Sequence, residues 1–264
     1  MSIVAGCDIG SLTAKAVIME NGRIISSALL RSKTNPQLSA EAVMKEALSK
    51  TALSMDNIQF FVGTGYGRKN ISFVNQAISE IACHGKGARW LIPGARTIID
   101  IGGQDCKAVR LDQDGNVVKF VANDKCASGT GRFLEVMARL LNISIEELGG
   151  LSSRSTAPII LSSTCTVWAQ ADIIKYINSG HKIEDIGAGV NSAMAKRAAI
   201  LANSVGIEPD VCMTGGVAKN EGVVRDLEKL LGKNIKRTRK ADPQIAGAIG
   251  AAIFAMEKVN GRSK

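Results

Sequence analysis

The sequence is poor in aromatic residues, which make up 4% of its 264 positions. A core with so few rings must consist mainly of Val, Ile, Leu and Ala, which suit buried parallel strands covered by helices. No apolar run reaches the length of about 18 residues that a membrane-spanning helix needs, so no membrane span is expected. The first residues also lack a basic segment followed by a long apolar run, so no secretion signal is expected. The cytoplasm is the expected compartment.

Negative charge is in the minority, since 24 Asp and Glu face 33 Lys and Arg and the net charge is +9. The densest basic run, 233–240, contains no aromatic residue for base stacking, and no nucleic-acid-binding motif surrounds it. We interpret it as a solvated face, with docking of an acidic partner as the alternative. Neither nucleic acid nor a membrane is expected as a partner.

A pattern of strand, glycine turn, strand, tight turn and strand opens the chain and then returns. In the first copy, Asn21-Gly22 joins the second and third strands, a strong signal for a hairpin. In the second copy, which covers 97–121, Asp114-Gly115 takes the same place. The repeat predicts two related α/β halves.

The repeat also predicts where the halves meet. We expect an N-terminal lobe over 1–93 and a C-terminal lobe over 94–243. The Ala- and Gly-rich segment 244–264 is expected to form a helix that packs back toward the first lobe.

A glycine turn follows the first strand of each half, at Asp8–Thr13 and at Asp100–Asp105. Glycine lets the backbone approach a phosphate closely, and its N–H groups can then face the anion. Both turns are therefore predicted to bind nucleotide phosphates. The residues predicted to do so are Gly10, Ser11, Leu12, Thr13, Lys15, Gly102, Gly103 and Gln104.

The polar side chains of these turns suggest roles in hydrolysis. Asp8, Asp100 and Asp105 can hold Mg²⁺, which prefers oxygen ligands and keeps part of its hydration. Gln104 is a candidate for orienting the attacking water. The predicted catalytic residues are Gln104, Asp105 and Asp8.

A third glycine motif, Met213–Asn220, follows a short strand and is predicted to lie against adenosine through Gly215, Gly216 and Lys219. Gln244 completes the predicted nucleotide contacts. Together the three elements resemble those of the actin, sugar kinase and heat-shock ATPase superfamily. The resemblance implies two actin-like (ribonuclease H-like) lobes with a nucleotide cleft between them, binding ATP or ADP with Mg²⁺. No G-x-G-x-x-G turn of a dinucleotide-binding fold opens a helix after the first strand.

Six cysteines are present, but no C-x-x-C pair. Cys7 and Cys212 lie in apolar strands and are interpreted as core residues. Cys126 and Cys165 each precede a predicted helix, whose dipole would lower the thiol pKa and favour the thiolate that binds metal. The alternative is that both are buried core thiols.

Five stretches together resemble the activator (component A) of 2-hydroxyacyl-CoA dehydratases, a family that includes benzoyl-CoA reductase ATPase subunits. They are Gly63–Arg68, Asp100–Asp105, Asn123–Phe133, Ser162–Val167 and Met213–Ala218. The resemblance implies that Cys126 and Cys165 bind one Fe₄S₄ (4Fe-4S) cluster shared by a homodimer. It also implies an ATPase that transfers electrons from reduced ferredoxin or flavodoxin to an iron–sulfur dehydratase or reductase, in an anaerobic organism.

Three other interpretations stay open. The chain could be a benzoyl-CoA reductase ATPase subunit, or a small-molecule kinase of the same fold with Asp100 or Asp105 as base. It could also be a nucleotide-switched binding protein without redox chemistry.

Overall fold

The computed structural model describes residues 2–162 and 165–261. Ser163 and Thr164, which belong to the second cysteine motif, lie outside this range. The strands are β1 Ile3–Ile9, β2 Thr13–Glu20, β3 Arg23–Arg31, β4 Phe60–Thr64, β5 Gln76–Ala77, β6 Thr97–Ile101, β7 Cys106–Leu111, β8 Val117–Asn123, β9 Val211–Thr214 and β10 Ile235–Lys236. The helices are α1 Pro36–Leu48, α2 Glu80–Leu91, α3 Gly131–Leu140, α4 Ile145–Leu151, α5 Thr166–Asn178, α6 Ile183–Val205, α7 Glu221–Leu231 and α8 Ala246–Val259.

These elements form two compact units. Unit 1 comprises residues 2–95, 111–117 and 238–261. Unit 2 comprises Arg96–Arg110 and Val118–Arg237. Unit 1 therefore contains the hairpin segment 111–117, which the sequence analysis assigned to the C-terminal lobe. It also contains α8, which packs on β1.

Each unit contains a five-stranded sheet, and the two sheets have the same strand order. The order is β3-β2-β1-β4-β5 in unit 1 and β8-β7-β6-β9-β10 in unit 2. In both sheets the first strand pairs antiparallel with the second strand of the meander. Its other edge pairs in parallel with a strand that comes later in the chain. The repeat in the sequence is therefore a repeat of supersecondary structure.

Tight turns with positive φ angles close both meanders. Asn21 and Gly22 have φ angles of 48° and 82°, the combination that a type I′ hairpin requires. Gly115 has a φ angle of 89° in the second meander. Asn and Gly are the residues that tolerate this region best, so the sequence at these turns specifies the strand pairing.

Helix α8 approaches its neighbours in unit 1 so closely that only glycine fits at the contacts. A Cβ atom on Gly6 of β1 would overlap the carbonyl oxygen of Ala248. A Cβ on Gly250 would overlap the carbonyl oxygen of Cys83 in α2. The many Ala and Gly residues of α8 therefore serve close helix–strand and helix–helix packing.

The basic run 233–240 is partly neutralised within unit 2. The Arg237 guanidinium lies 2.6 Å from the carboxylate of Glu221 and 3.9 Å from that of Glu228. The ammonium of Lys236 lies 3.8 Å from Asp210. Within 2–162 and 165–261, no helix has the length and apolar character needed to cross a membrane.

The close contact of α8 with α2 makes a prediction for stability. Gly250→Ala forces a methyl group into the Cys83 carbonyl, so we expect the free energy of unfolding to fall by about 3 kcal/mol. Gly150→Ala in α4 is the matched control, because a Cβ there meets nothing within 4 Å. That change should raise stability by about 0.5 kcal/mol through the better helix propensity of Ala. Urea unfolding followed by circular dichroism measures both, and equal midpoints would contradict the packing argument.

Candidate functional site

The first predicted phosphate loop is a tight turn between β1 and β2 of unit 1. The backbone N–H of Gly10 donates to the carbonyl oxygen of Thr13 at 3.1 Å, which closes the turn. The Ser32 hydroxyl donates to the Gly10 carbonyl at 2.8 Å. Ser11 is exposed at the tip, while Leu12 and Thr13 are half-buried. The turn therefore has a fixed backbone and an exposed hydroxyl at its tip.

A buried carboxylate lies beneath this loop. Asp8 is the register partner of Lys15 across β1 and β2, and the Lys15 ammonium lies 3.1 Å from the Asp8 carboxylate. A Cβ added to Gly247 would lie 2.9 Å both from Asp8 Oδ2 and from His84 Nε2. Asp8 is thus enclosed by its own hairpin and by the beginning of α8. Gln244 belongs to the short 3-10 turn that precedes α8, and its backbone N–H donates to the Asp242 side chain.

The second predicted phosphate loop has the same turn geometry in unit 2. The backbone N–H of Gly102 donates to the carbonyl oxygen of Asp105 at 3.0 Å. Gln104 is exposed at the tip and Gly103 is half-buried, whereas Asp100 and Asp105 are buried. The loop therefore presents an amide side chain to solvent above two buried carboxylates.

The third predicted element lies beside those carboxylates. Strand β9 ends at Thr214, whose hydroxyl donates to Asp100 Oδ1 at 2.8 Å. Gly215 has a φ angle of 82°, and a Cβ there would overlap the Ile101 carbonyl oxygen and lie 3.1 Å from Asp100 Oδ1. Only glycine fits this position. A 3-10 turn over Gly216–Lys219 follows, with Lys219 exposed, before α7 begins.

The structure thus assembles part of the predicted nucleotide site in each unit. In unit 1, Asp8, Lys15 and the Gly10 turn form one group. In unit 2, Asp100 and Asp105 form another group together with the Thr214-Gly215 turn. In the described parts of the chain, no three His, Cys, Asp or Glu side chains converge on a point that could hold a metal ion.

Sequence reasoning missed Lys107, which is buried between Asp100 and Asp105 in unit 2. A signal was present, because the spacing Asp-x-Gly-x₄-Lys occurs twice, at 8–15 and at 100–107. The two lysines hold equivalent places in the repeat, so the argument that predicted a nucleotide contact for Lys15 applies equally to Lys107.

The six cysteines separate into two classes. Cys126 and Cys165 are exposed, and the other four are buried. Burial raises the pKa of the Cys83, Cys106 and Cys212 thiols to about 12 and raises that of Cys7 as well. These four are protonated at neutral pH, which suits core residues and disfavours metal binding. The alternative of core packing, considered above for Cys126 and Cys165, does not describe their environment.

Cys165 occupies the N-cap position of α5. Hydrogen bonds from the backbone N–H groups of Trp168 and Val167 hold the pKa of the Cys165 thiol below its usual value. The predicted effect of a helix N-terminus is therefore found at this cysteine.

Cys126 differs, because it precedes its helix without capping it. Helix α3 begins at Gly131, with Thr130 as its N-cap. A turn separates Cys126 from that cap, because Gly129 has a φ angle of 83° and the Thr130 N–H and hydroxyl both donate to the Ala127 carbonyl. The Asn123 amide holds the loop by donating to the carbonyl of Cys126 at 3.1 Å and to that of Ser128 at 2.8 Å.

The loop that carries Cys126 is joined to the second phosphate loop. The N–H of Gly131 donates to the Gly102 carbonyl at 2.8 Å, and that of Arg132 donates to the Gly103 carbonyl at 2.9 Å. A Cβ on Gly131 would lie 2.9 Å from the Gly102 carbonyl oxygen, so the contact is tight. Four residues therefore separate Cys126 from Gly131, which contacts the second predicted phosphate loop directly.

Comparison with known proteins places these features in a family. The model of the BadF/BadG/BcrA/BcrD ATPase family matches residues 5–255. The activator of lactoyl-CoA dehydratase from Anaerotignum propionicum is 45% identical over 252 residues, which is 96% of each chain. The solved activator of the 2-hydroxyisocaproyl-CoA dehydratase from Clostridium difficile with bound ADPNP is 42% identical, covering 98% of this chain and 96% of that one, with a TM-score of 0.94.

The chain belongs to the BadF/BadG/BcrA/BcrD ATPase family. A glucokinase of the ROK family from Streptomyces griseus, solved with glucose and AMPPNP, shares 15% identity and a TM-score of 0.56, covering 97% of this chain and all of that one. At that identity the likeness concerns the fold alone. The predicted α/β fold of the actin and sugar kinase superfamily and the resemblance to dehydratase activators are confirmed.

The two classes of cysteine can be separated by alkylation. In the reduced, metal-free protein at pH 7.5, we expect iodoacetamide to modify Cys126 and Cys165 and to leave the four buried thiols unmodified. Because the pKa of Cys165 is lowered, its alkylation rate should rise to half its maximum at a lower pH than that of free cysteine, about 8.5. Mass spectrometry of peptides from a pH series measures this. Denatured protein, in which all six thiols react, is the control, and a Cys165 midpoint at or above that of free cysteine would contradict the assignment.

Proposed function

We propose that this protein is an ATP-hydrolysing activator that delivers single electrons to a partner iron–sulfur dehydratase of the 2-hydroxyacyl-CoA type. The observation that carries the proposal is the exposure of Cys126 and Cys165, both in unit 2, in a chain whose other cysteines are buried. The names of the related activators indicate the class of partner.

The donor set fits an iron–sulfur cluster shared by two chains. Such a cluster takes four cysteine thiolates, and the described residues of one chain supply two exposed thiols. The lowered pKa of Cys165 favours the thiolate that iron binds. We infer that Cys126 and Cys165 of two copies hold one Fe₄S₄ cluster in a twofold dimer. When bound, the cluster supplies one-electron redox chemistry.

The surface beside Cys165 suits contact with a second copy. Val167 and Trp168, the second and third residues of α5, are 68% and 67% exposed. Ile174 and Ile177 extend the exposed apolar side chains along the same helix. Apolar side chains concentrated next to a thiol are expected at an interface rather than in water. A second copy on this face would also shield the cluster from solvent.

The nucleotide contacts are proposed as the sequence predicted them. ATP phosphates would contact Gly10 to Thr13 and Gly102 to Gln104, and Mg²⁺ would be held through Asp8, Asp100 and Asp105. In support, both turns are closed by the same backbone hydrogen bond. The remaining contacts, to the phosphates or to adenosine, come from Lys15, Gly215, Gly216, Lys219 and Gln244.

Hydrolysis would depend on the exposed tip of the second loop. Gln104 is placed to orient a water molecule, and the buried carboxylates of Asp105 and Asp8 would assist as proton acceptors or through Mg²⁺. With these roles, the residues of one chain would be sufficient to hydrolyse ATP.

Coupling between hydrolysis and electron delivery is supported by the contact of α3 with the second loop. Movement of Gly102 or Gly103 with nucleotide state would pull on the N–H groups of Gly131 and Arg132. Because α3 follows the Cys126 loop directly, the orientation of that cysteine would change with the nucleotide.

The remaining elements of the proposal rest on the family resemblance. Reduced ferredoxin or flavodoxin would be the electron donor. A cluster at a dimer surface would be sensitive to oxygen, so we propose that the protein works in the cytoplasm of an anaerobic organism.

The role of Gln104 can be tested without the partner. We expect Gln104→Ala to lower kcat for ATP hydrolysis by about 100-fold or more, because the attacking water loses its orientation. The Kd for ADP should change by less than about twofold, since ground-state binding does not need the amide. Gln113→Ala, in the exposed turn between β7 and β8, is the matched control and should behave like the wild type. An unchanged kcat in Gln104→Ala would remove this residue from the mechanism.

The shared cluster is tested by anaerobic purification. We expect about four irons and four sulfides for every two chains, with a dimer mass by light scattering. Cys126→Ser and Cys165→Ser should each lose the iron and the visible absorbance, whereas Cys83→Ala, in a buried thiol, should retain both. A colourless monomer that still hydrolyses ATP after reconstitution would instead support a nucleotide-switched binding protein or a kinase.

A further inference from the structure

The second phosphate loop contains a buried lysine that faces two carboxylates. The Lys107 ammonium lies 2.6 Å from Asp105 Oδ2 and 3.4 Å from Asp100 Oδ2. The Lys107 side chain is 5% exposed, and the side chains of Asp100 and Asp105 are 3% and 8% exposed. The Thr214 hydroxyl donates to the other oxygen of Asp100. Two buried carboxylates and one ammonium leave this group with a net charge of −1.

The equivalent group in unit 1 is simpler. Within the described residues, the Lys15 ammonium forms an ion pair with one carboxylate, that of Asp8, at 3.1 Å. The register makes the comparison direct, because Asp8 pairs with Lys15 as Asp100 pairs with Lys107. The position that Asp105 holds in the second copy is held by Thr13 in the first. The second copy of the motif therefore has one carboxylate more than the first, and Lys107 forms ion pairs with both of its carboxylates.

We propose that Lys107 is a positioning residue of the second phosphate loop that holds Asp100 and Asp105 together and restrains them from binding a divalent cation before nucleotide arrives. The inference rests on the proposed ATPase function, since it assigns the restraint to the carboxylates that the function uses for Mg²⁺. Lys107 itself would touch neither the nucleotide nor the reacting water.

The physical reason is competition for the same oxygens. Two adjacent buried carboxylates repel each other and would attract any divalent cation strongly. An ammonium between them satisfies Oδ2 of each residue and cancels one of the two charges. Without nucleotide, Mg²⁺ must then compete with the Lys107 ammonium for these oxygens. Mg²⁺ that arrives with ATP has phosphate oxygens that complete its coordination. The loop would thus bind Mg²⁺ with nucleotide in preference to bare Mg²⁺.

The test measures the Kd for Mn²⁺ in the absence of nucleotide. Mn²⁺ is a paramagnetic substitute for Mg²⁺, so its binding can be followed by electron paramagnetic resonance. For Lys107→Met, which keeps an unbranched side chain one atom shorter and removes its charge, we expect Mn²⁺ to bind roughly ten- to hundredfold more tightly than to the wild type. Lys107→Arg keeps the charge and should bind Mn²⁺ as weakly as the wild type. Lys119→Met, which removes an exposed charge of the same unit, controls for net charge and should leave Mn²⁺ affinity unchanged.

A second pair of variants covers the case in which Lys107→Met does not fold. Asp105→Asn leaves Lys107 with one carboxylate, and the double variant Asp105→Asn/Lys107→Met leaves one carboxylate with no competing ammonium. The double variant should then bind Mn²⁺ more tightly than Asp105→Asn. The inference is overturned if a folded variant without Lys107 binds Mn²⁺ no more tightly than its parent. Failure of the proposed function is separate, because it would appear as absence of ADP binding by the wild type with Mg²⁺ present.

Discussion

In each unit a glycine turn is held in place by a buried carboxylate and a lysine that faces it across an antiparallel strand pair. The distances are 3.1 Å between Asp8 and Lys15 and 3.4 Å between Asp100 and Lys107. Burying either charge alone would be costly, so each stabilises the register that brings its partner opposite. A slip of one residue would turn the lysine to the other face of the sheet and distort the turn. The same antiparallel strand pair therefore begins the sheet of each unit.

In unit 2, the turn between β6 and β7 also contacts a helix, α3. The carbonyls of Gly102 and Gly103 accept hydrogen bonds from the first residues of α3, so the second predicted phosphate loop is bonded directly to this helix. The Cys126 loop enters that helix directly, and Arg197 of α6 holds it from outside by donating to the Ser128 hydroxyl at 3.2 Å. Cys165 reaches the surface differently, as the cap of its own helix. Among the described residues, the segment that carries Cys126 thus leads into α3 and its hydrogen bonds to Gly102 and Gly103, whereas the thiol of Cys165 accepts from the N–H groups of its own helix.

Local signals were enough to predict the turns and the two related α/β halves, because Asn21-Gly22 and the repeated Asp-x-Gly spacing act over a few residues. The actin-like fold was predicted from the resemblance to a superfamily. Local signals failed where the partner lies elsewhere in the chain. The helix expected after Cys126 is present, but its first residue depends on the positive φ angle of Gly129 and on the hydrogen bond from Gly131 to Gly102, and the second of these needs a distant partner. The burial of Lys107 between two carboxylates likewise depends on strand pairing, which no periodicity reveals. That Cys126 and Cys165 are exposed could be predicted only from the family resemblance, since their spacing matches no metal motif.

The size of the α3 contact decides whether it can matter to electron delivery. A backbone hydrogen bond contributes about 0.5–1.5 kcal/mol net, so making or breaking both bonds to the second loop is worth roughly 1–3 kcal/mol. In a one-electron transfer, about 1.4 kcal/mol corresponds to 59 mV, so in the proposed function the contact would shift the reduction potential of the cluster by roughly 40–130 mV. A larger shift needs further contacts that differ between nucleotide states, because a ligand moves an equilibrium only by its differential affinity. In the proposed function, the two bonds would therefore suffice for a modest bias toward electron delivery, and any stronger drive would have to come from the proposed dimer or the proposed partner.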